Sequence, residues 1–157
     1  MGGIIQGEDF HFGIVLSTFN SRVTSRLLTG AIDALTQEGV QREKINVFEV
    51  PGAFEIPVVA QRLAQSGQYH VVICLGAVIR GETPHFEYIS TEVARGVARV
   101  ALESSLPVIF GVLTTDTLDQ ANRRSVVGGR NKGSEAGIAA MEMARLWENF
   151  SKKKRDD

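Results

Sequence analysis

Short apolar runs alternate with longer stretches of helical period along this chain. Four runs stand out, at 12–16, 45–50, 70–79 and 107–114, and three of them are continuous and rich in Val, Ile and Leu. A strand that is apolar at every position is covered on both faces. Such strands in alternation with helices form βα units around a parallel sheet. The pattern therefore predicts an α/β protein with helices on both sides of a four-stranded sheet.

The first helix is predicted over 21–38, where Val23, Leu27, Leu28, Ala31 and Leu35 recur at three- and four-residue steps and Gly39 ends the run. A second, shorter helix follows Pro57. A third spans 88–103, with Ile89, Val93, Val97 and Val100 on one stripe, until Pro107 forces the chain out of helix. Beyond the fourth strand, 117–124 reads as a short helix and 134–150 as a long one, with Ile138, Met141, Ala144 and Trp147 on a shared face. The intervening 126–133 holds Gly128, Gly129 and Gly133 and reads as a loop with unusual backbone angles. No repeat or linker divides the chain, so one domain is expected over 1–157, with 1–9 as an arm and 151–157 as a flexible tail.

Composition narrows the function classes. The 157 residues suit one domain, and with 43% hydrophobic residues, 22% charged residues and a net charge of −1 they match an ordinary globular protein. A nucleic-acid or membrane partner is not expected. The single cysteine, Cys74, lies inside an apolar run, reads as a small buried hydrophobe and fits a reducing compartment. Residues 1–6 lack the basic and apolar regions of a signal peptide, so the expected location is cytoplasmic. The basic run Lys152, Lys153, Lys154 and Arg155 reads as a solvated terminus.

In an open parallel sheet, ligands bind beyond the carboxyl ends of the strands. Distinctive residues gather there: Thr18-Phe19-Asn20 after the first strand, the 50–57 segment VPGAFEIP after the second, Arg80 to Phe86 after the third, and Thr114-Thr115-Asp116 after the fourth. Gly81, Thr83 and the amide groups opening the next helix suit a phosphate, although a plain helix cap uses the same residues. His85 beside them carries an imidazole able to take and give a proton near neutrality. Phe19 and Phe54 can stack on a flat heterocycle, and Glu55 can accept hydrogen bonds from ligand hydroxyls; core packing and a helix first turn are the ordinary alternatives. Arg124 and Lys132 offer cationic partners for a phosphate or carbonyl. His11 and His70 fall at the opposite edge, and the scatter of His and Cys gives no metal spacing. The 128–134 run lacks the Gly-Lys-Ser/Thr order of a nucleotide loop.

Taken together, Phe19-Asn20, VPGAFEIP at 50–57, LGAVIRGETPHFEY at 75–88, PVIFGVLTTDT at 107–117 and Asn131 to Ala136 resemble the lumazine synthase family in order and spacing over nearly the whole chain. The resemblance implies a flavodoxin-like three-layer αβα sandwich with sheet order 2-1-3-4, assembled as pentamers with sites between subunits. It implies a transferase of riboflavin biosynthesis that condenses 5-amino-6-ribitylaminouracil with 3,4-dihydroxy-2-butanone 4-phosphate, without a redox step and without a cofactor. Phe19, Asn20, Ala53, Phe54, Glu55, Val78 and Ile79 would hold the ring and ribityl chain, joined by Phe110 and Lys132. Gly81, Glu82, Thr83 and Arg124 would bind the phosphate, and His85 would move protons. Phe110, Arg124 and Lys132 would reach the site from the adjacent subunit.

Many family members carry Ala-Gly-Thr-Lys-Ala-Gly where residues 125–130 here read Ser-Val-Val-Gly-Gly-Arg. The unchanged length favours a shell of sixty subunits over a free pentamer, with a riboflavin synthase as a further partner. Two rivals remain: the archaeal type of riboflavin synthase, and a non-catalytic lumazine- or flavin-binding or shell-forming relative. Phe19, Glu55, His85, Arg124 and Lys132 together favour the condensing enzyme.

Overall fold

The computed structural model describes residues 9–156. Four strands, β1 (Phe12–Ser17), β2 (Ile45–Val50), β3 (Val71–Ile79) and β4 (Val108–Thr115), form one parallel sheet in the order β2-β1-β3-β4. Helices α1 (Ser21–Gln37), α2 (Ile56–Ala64), α3 (His85–Ser104), α4 (Leu118–Arg123) and α5 (Lys132–Asp156) flank it. Side chains alternate across the central strands. Phe12, Ile14 and Leu16 of β1 join Ile73 and Leu75 of β3 in a core with Val23, Leu27, Ala31 and Leu35 of α1 and Ala140, Met141 and Ala144 of α5. Val15, Val72 and Cys74 point the other way, against Ile56 and Ala60 of α2 and Val93, Val97 and Val100 of α3. The result is the flavodoxin-like three-layer sandwich, with the expected strand order.

The helix boundaries differ from expectation where caps precede the apolar stripe. α3 opens at His85, not at residue 88, because Pro84 starts a turn whose carbonyl accepts the Glu87 N–H at 3.0 Å. α5 opens at Lys132, two residues early, because the Asn131 side chain accepts the Ser134 N–H at 3.0 Å. Lys132 is thus a helix residue, not a loop residue. Within 126–133 the left-handed backbone is confined to Gly128. α2 takes Pro57 into its first turn, where the missing N–H costs nothing. The expected face of α5 is also revised: Met141 and Ala144 are buried but Ile138 is exposed. α5 meets α1 through small residues, so the seam follows Gly133, Ala136, Gly137, Ala140 and Ala144.

α5 continues through the residues expected as a tail, to Asp156. Of the arm expected over 1–9, residues 1–8 lie outside the described residues. Cys74 is fully buried and free, and burial pushes its thiol pKa up to about 12, so it is an inert packing group.

At the amino edge of the sheet His11 and His70 stack with ring centroids 5.9 Å apart, and the His70 Nδ1 accepts the His11 N–H at 2.9 Å. Burial, with the Phe10 ring edge-on at 5.3 Å, and the neighbouring His11 hold the His70 pKa below the ordinary histidine value, while Glu148 opposes them. A histidine harder to protonate folded than unfolded stabilises the fold above its unfolded pKa, and that contribution is lost as pH falls through the folded value. Thermal midpoints are therefore expected to decline as pH drops below about 6.5, and His70→Asn should flatten part of that decline. Identical slopes for the two proteins would exclude His70 as the cause.

Candidate active site

Two corners beyond β1 and β2 build one wall of a cavity. The Thr18 and Phe19 amides donate to the carbonyls of Val50 and Pro51 at 2.9 and 3.1 Å, lashing the first corner to the second. Asn20 sits in the left-handed region (φ 63°), an unusual place for a residue other than glycine. It is held there by its Nδ2, which donates to the Ala77 carbonyl at 3.1 Å, while its own carbonyl accepts the first amides of α1. These bonds fix Phe19 with its side chain outside the core: the residue is 69% exposed, and Phe54 in the second corner is 57% exposed. In the second corner Ala53–Glu55 form a single tight turn leading into α2. One Glu55 carboxylate oxygen accepts the Gly52 N–H at 2.9 Å, the ordinary first-turn role.

The end of β3 and the start of α3 form the opposite wall. The Thr83 hydroxyl accepts the His85 N–H at a long 3.4 Å. A Cβ placed on Gly81 would meet nothing within 4 Å, so no packing inside the chain demands glycine there. The open space suits a ligand that approaches the backbone. Between these walls lies a cavity of about 510 Å³ lined by Phe19, Ala53, Phe54, Glu55, Val78, Ile79, Gly81, Thr83 and His85, together with Gly52, Phe86 and Ile89. Nine residues singled out in the sequence thus meet around one hollow. It combines an apolar floor, two aromatic rings at its mouth, a carboxylate, a hydroxyl and an imidazole, which is the composition of a small-molecule site.

Five other candidates are not among its lining residues. Asn20 supports the wall through its backbone and amide, and the exposed Glu82 stands in the connection ahead of α3. Phe110 lies in β4 opposite Cys74 and packs against the α2–α3 core. Arg124 lines a second recess of about 640 Å³ with Thr114, Thr115, Asp116, Gln120, Arg123 and Arg130. Its Nη2 lies 3.6 Å from Glu135, and its Nε is buried without a partner. Lys132 begins α5 beside that recess's Arg124, whose carbonyl accepts the Lys132 N–H at 2.8 Å. Arg124 and the Gly81–Thr83 segment thus line separate recesses of the chain.

The family model described as 6,7-dimethyl-8-ribityllumazine synthase matches residues 9–148, nearly the entire described chain. The protein belongs to this family.

For a lumazine synthase family member, the residues around the cavity that sequence reading missed are informative. Phe86 and Ile89 line it from the first turns of α3; the sequence reading, which began that helix three residues late, left Phe86 in the connecting segment and gave Ile89 to the core stripe. Arg80 was passed over because its partner Asp116 lies 36 positions away in sequence. Its Nε donates to Asp116 at 2.8 Å, its Nη1 approaches Glu87 at 3.3 Å, and its guanidinium lies 4.6 Å from the Phe86 ring centroid. Hydrogen bonds donated first to Asp116 and then to Glu87 hold its pKa above the ordinary arginine value. Among the described residues no group of three His, Cys, Asp or Glu stands together as a metal site, and no helix is long and apolar enough to cross a membrane.

Proposed function

We propose that the protein catalyses formation of 6,7-dimethyl-8-ribityllumazine from 5-amino-6-ribitylaminouracil and 3,4-dihydroxy-2-butanone 4-phosphate, as a cytoplasmic transferase. The observation that carries this reading is the convergence of Phe19, Glu55, Thr83 and His85 on one cavity at the carboxyl edge of the sheet. Phe19 and Phe54 offer faces for the pyrimidinedione, Glu55 has acceptor capacity left for ribityl hydroxyls, and Gly81 and Thr83 offer room and a hydroxyl for the phosphate. The 5-amino group attacks the ketone, and loss of water gives an imine. Phosphate leaves by elimination, the ribitylamino nitrogen closes the second ring, and a second water departs. His85 carries protons for these steps, while most of the acceleration comes from holding two substrates in contact.

The open, doubly exposed aromatic mouth supports completion of the site by a second copy, whose Phe110, Arg124 and Lys132 supply the missing side. We place that copy in a pentamer, and in a sixty-subunit shell built from pentamers, able to associate with a riboflavin synthase. Sedimentation tests the assembly: a pentamer-sized particle alone at high concentration and physiological salt rules out the shell. Mixing the protein with both substrates tests the reaction, since fluorescent lumazine and free phosphate must appear in step. Lumazine consumption, or binding without turnover, would point to the two rival activities instead.

Phe19→Ala is expected to raise KM for the pyrimidinedione about tenfold, the scale of one base-on-aromatic stack, with a smaller change in kcat. Steady-state kinetics with the sugar phosphate saturating measures this. An unaltered KM would remove Phe19 from ring binding.

A further inference from the structure

The connection from β3 into α3 is lightly held, while Phe86 and Ile89 just beyond it pack partly against the α2–α3 core. Residues 81–85 are all exposed, and the bond that caps His85 from Thr83 is long, at 3.4 Å. Arg80 spans this weak stretch. Its backbone N–H donates to the Thr115 carbonyl at 2.9 Å, continuing the β3–β4 ladder beyond the strand, and its Nε donates to Asp116 at 2.8 Å. From that anchored position the same guanidinium reaches Glu87 at 3.3 Å and lies over the Phe86 ring at 4.6 Å. Phe86 lines the cavity and is the direct neighbour of His85. One planar group therefore ties the first turn of α3 to the end of β4 through two hydrogen bonds and a stacked face.

We propose that Arg80 is a positioning residue for His85, setting the imidazole against the cavity through its clamp on Phe86 and Glu87. The proposal deepens the reading of the site given above and rests on the role assigned there to His85. Arginine suits the task because its fork donates in two directions while its flat face covers a ring, whereas lysine supplies a single point charge. Arg80 is 45% exposed, and ion pairs this exposed contribute little to stability. The consequence of losing it falls on geometry, and small misplacements at a reacting centre are costly.

The test compares full-length wild type, Arg80→Met, Arg80→Lys, His85→Ala and the Arg80→Met/His85→Ala double variant. Arg80→Met should lower kcat by about ten- to a hundredfold, with both KM values and the thermal midpoint little changed, and Arg80→Lys should recover only part of the loss. In the double variant the arginine change should add nothing to His85→Ala, as expected when one residue acts through the other. Amide exchange over 82–88 should be faster in Arg80→Met than in wild type. An unchanged kcat in Arg80→Met, or losses that multiply in the double variant, overturns the proposal. So does unchanged exchange over 82–88, whatever the kinetics. If wild type forms no lumazine at all, the functional reading falls, and the exchange experiment alone decides whether Arg80 holds this turn.

Discussion

Replacing His85 with alanine is expected to lower kcat about a hundredfold, the lower end of what a positioned proton-transfer group contributes. His85 is the histidine on the cavity wall, whereas His11 and His70 are engaged with each other at the opposite edge of the sheet. Imine formation and ring closure both require protons to leave nitrogen and reach oxygen. Without the imidazole, water must serve. The variant should nonetheless keep measurable turnover, because the cavity still holds the two substrates together and that approximation is independent of His85. Both KM values should change less than kcat. Initial rates of lumazine formation for variant and wild type decide the matter: an equal rate excludes His85 from proton transfer, and complete loss would mean that it does more than shuttle protons.

The largest effect on stability is expected at Gly133. A Cβ there would lie 1.9 Å from the Leu27 carbonyl oxygen and 2.8 Å from the Leu27 Cα, so the obstacle is backbone and cannot rotate away. At Gly137, one turn on, a Cβ would lie 2.9 Å from the Ala31 carbonyl oxygen. Gly133→Ala gains at most about 1 kcal/mol of helix propensity. Against that, α5 must move away from α1 by more than an ångström, opening the core shared by Leu27, Ala31, Ala140 and Met141. Such overpacking against a rigid neighbour costs about 3 kcal/mol or more. Urea denaturation should show the midpoint falling accordingly, and a variant within about 1 kcal/mol of wild type would show that the two helices separate freely.

The strands were legible because β3 and β1 are covered on both faces and so read as unbroken apolar runs, which locate a strand to within a residue. Helix starts were less so. The caps at Thr83-Pro84 and Asn131 act through hydrogen bonds to amides two or three residues on, ahead of the first apolar stripe residue, and a reading tied to that stripe begins late. The seam of α5 escaped for a different reason: it packs through Gly and Ala, which carry little hydrophobic weight, so the bulkier Ile138 was assigned to a face it does not occupy. Site residues on the four carboxyl-edge loops were found because fold geometry puts those loops together. Arg80 was not, since its partner Asp116 is 36 positions away and only the β3–β4 register brings them into contact.

The turn between α4 and α5 is fastened at both ends. At one end the Ser125 hydroxyl accepts from the Arg26 guanidinium and donates to the Ala121 carbonyl at 2.9 Å. At the other, the buried Asn131 amide donates to the carbonyls of Arg26 at 3.1 Å and Ser125 at 2.9 Å. The five residues strung between these two knots are exposed and carry no part of either core. Gly128 apart, whose left-handed backbone favours glycine, their identity is thereby decoupled from folding, so this stretch can be rewritten while the same scaffold is kept. Any outward-facing property encoded there is free to drift or be selected on its own.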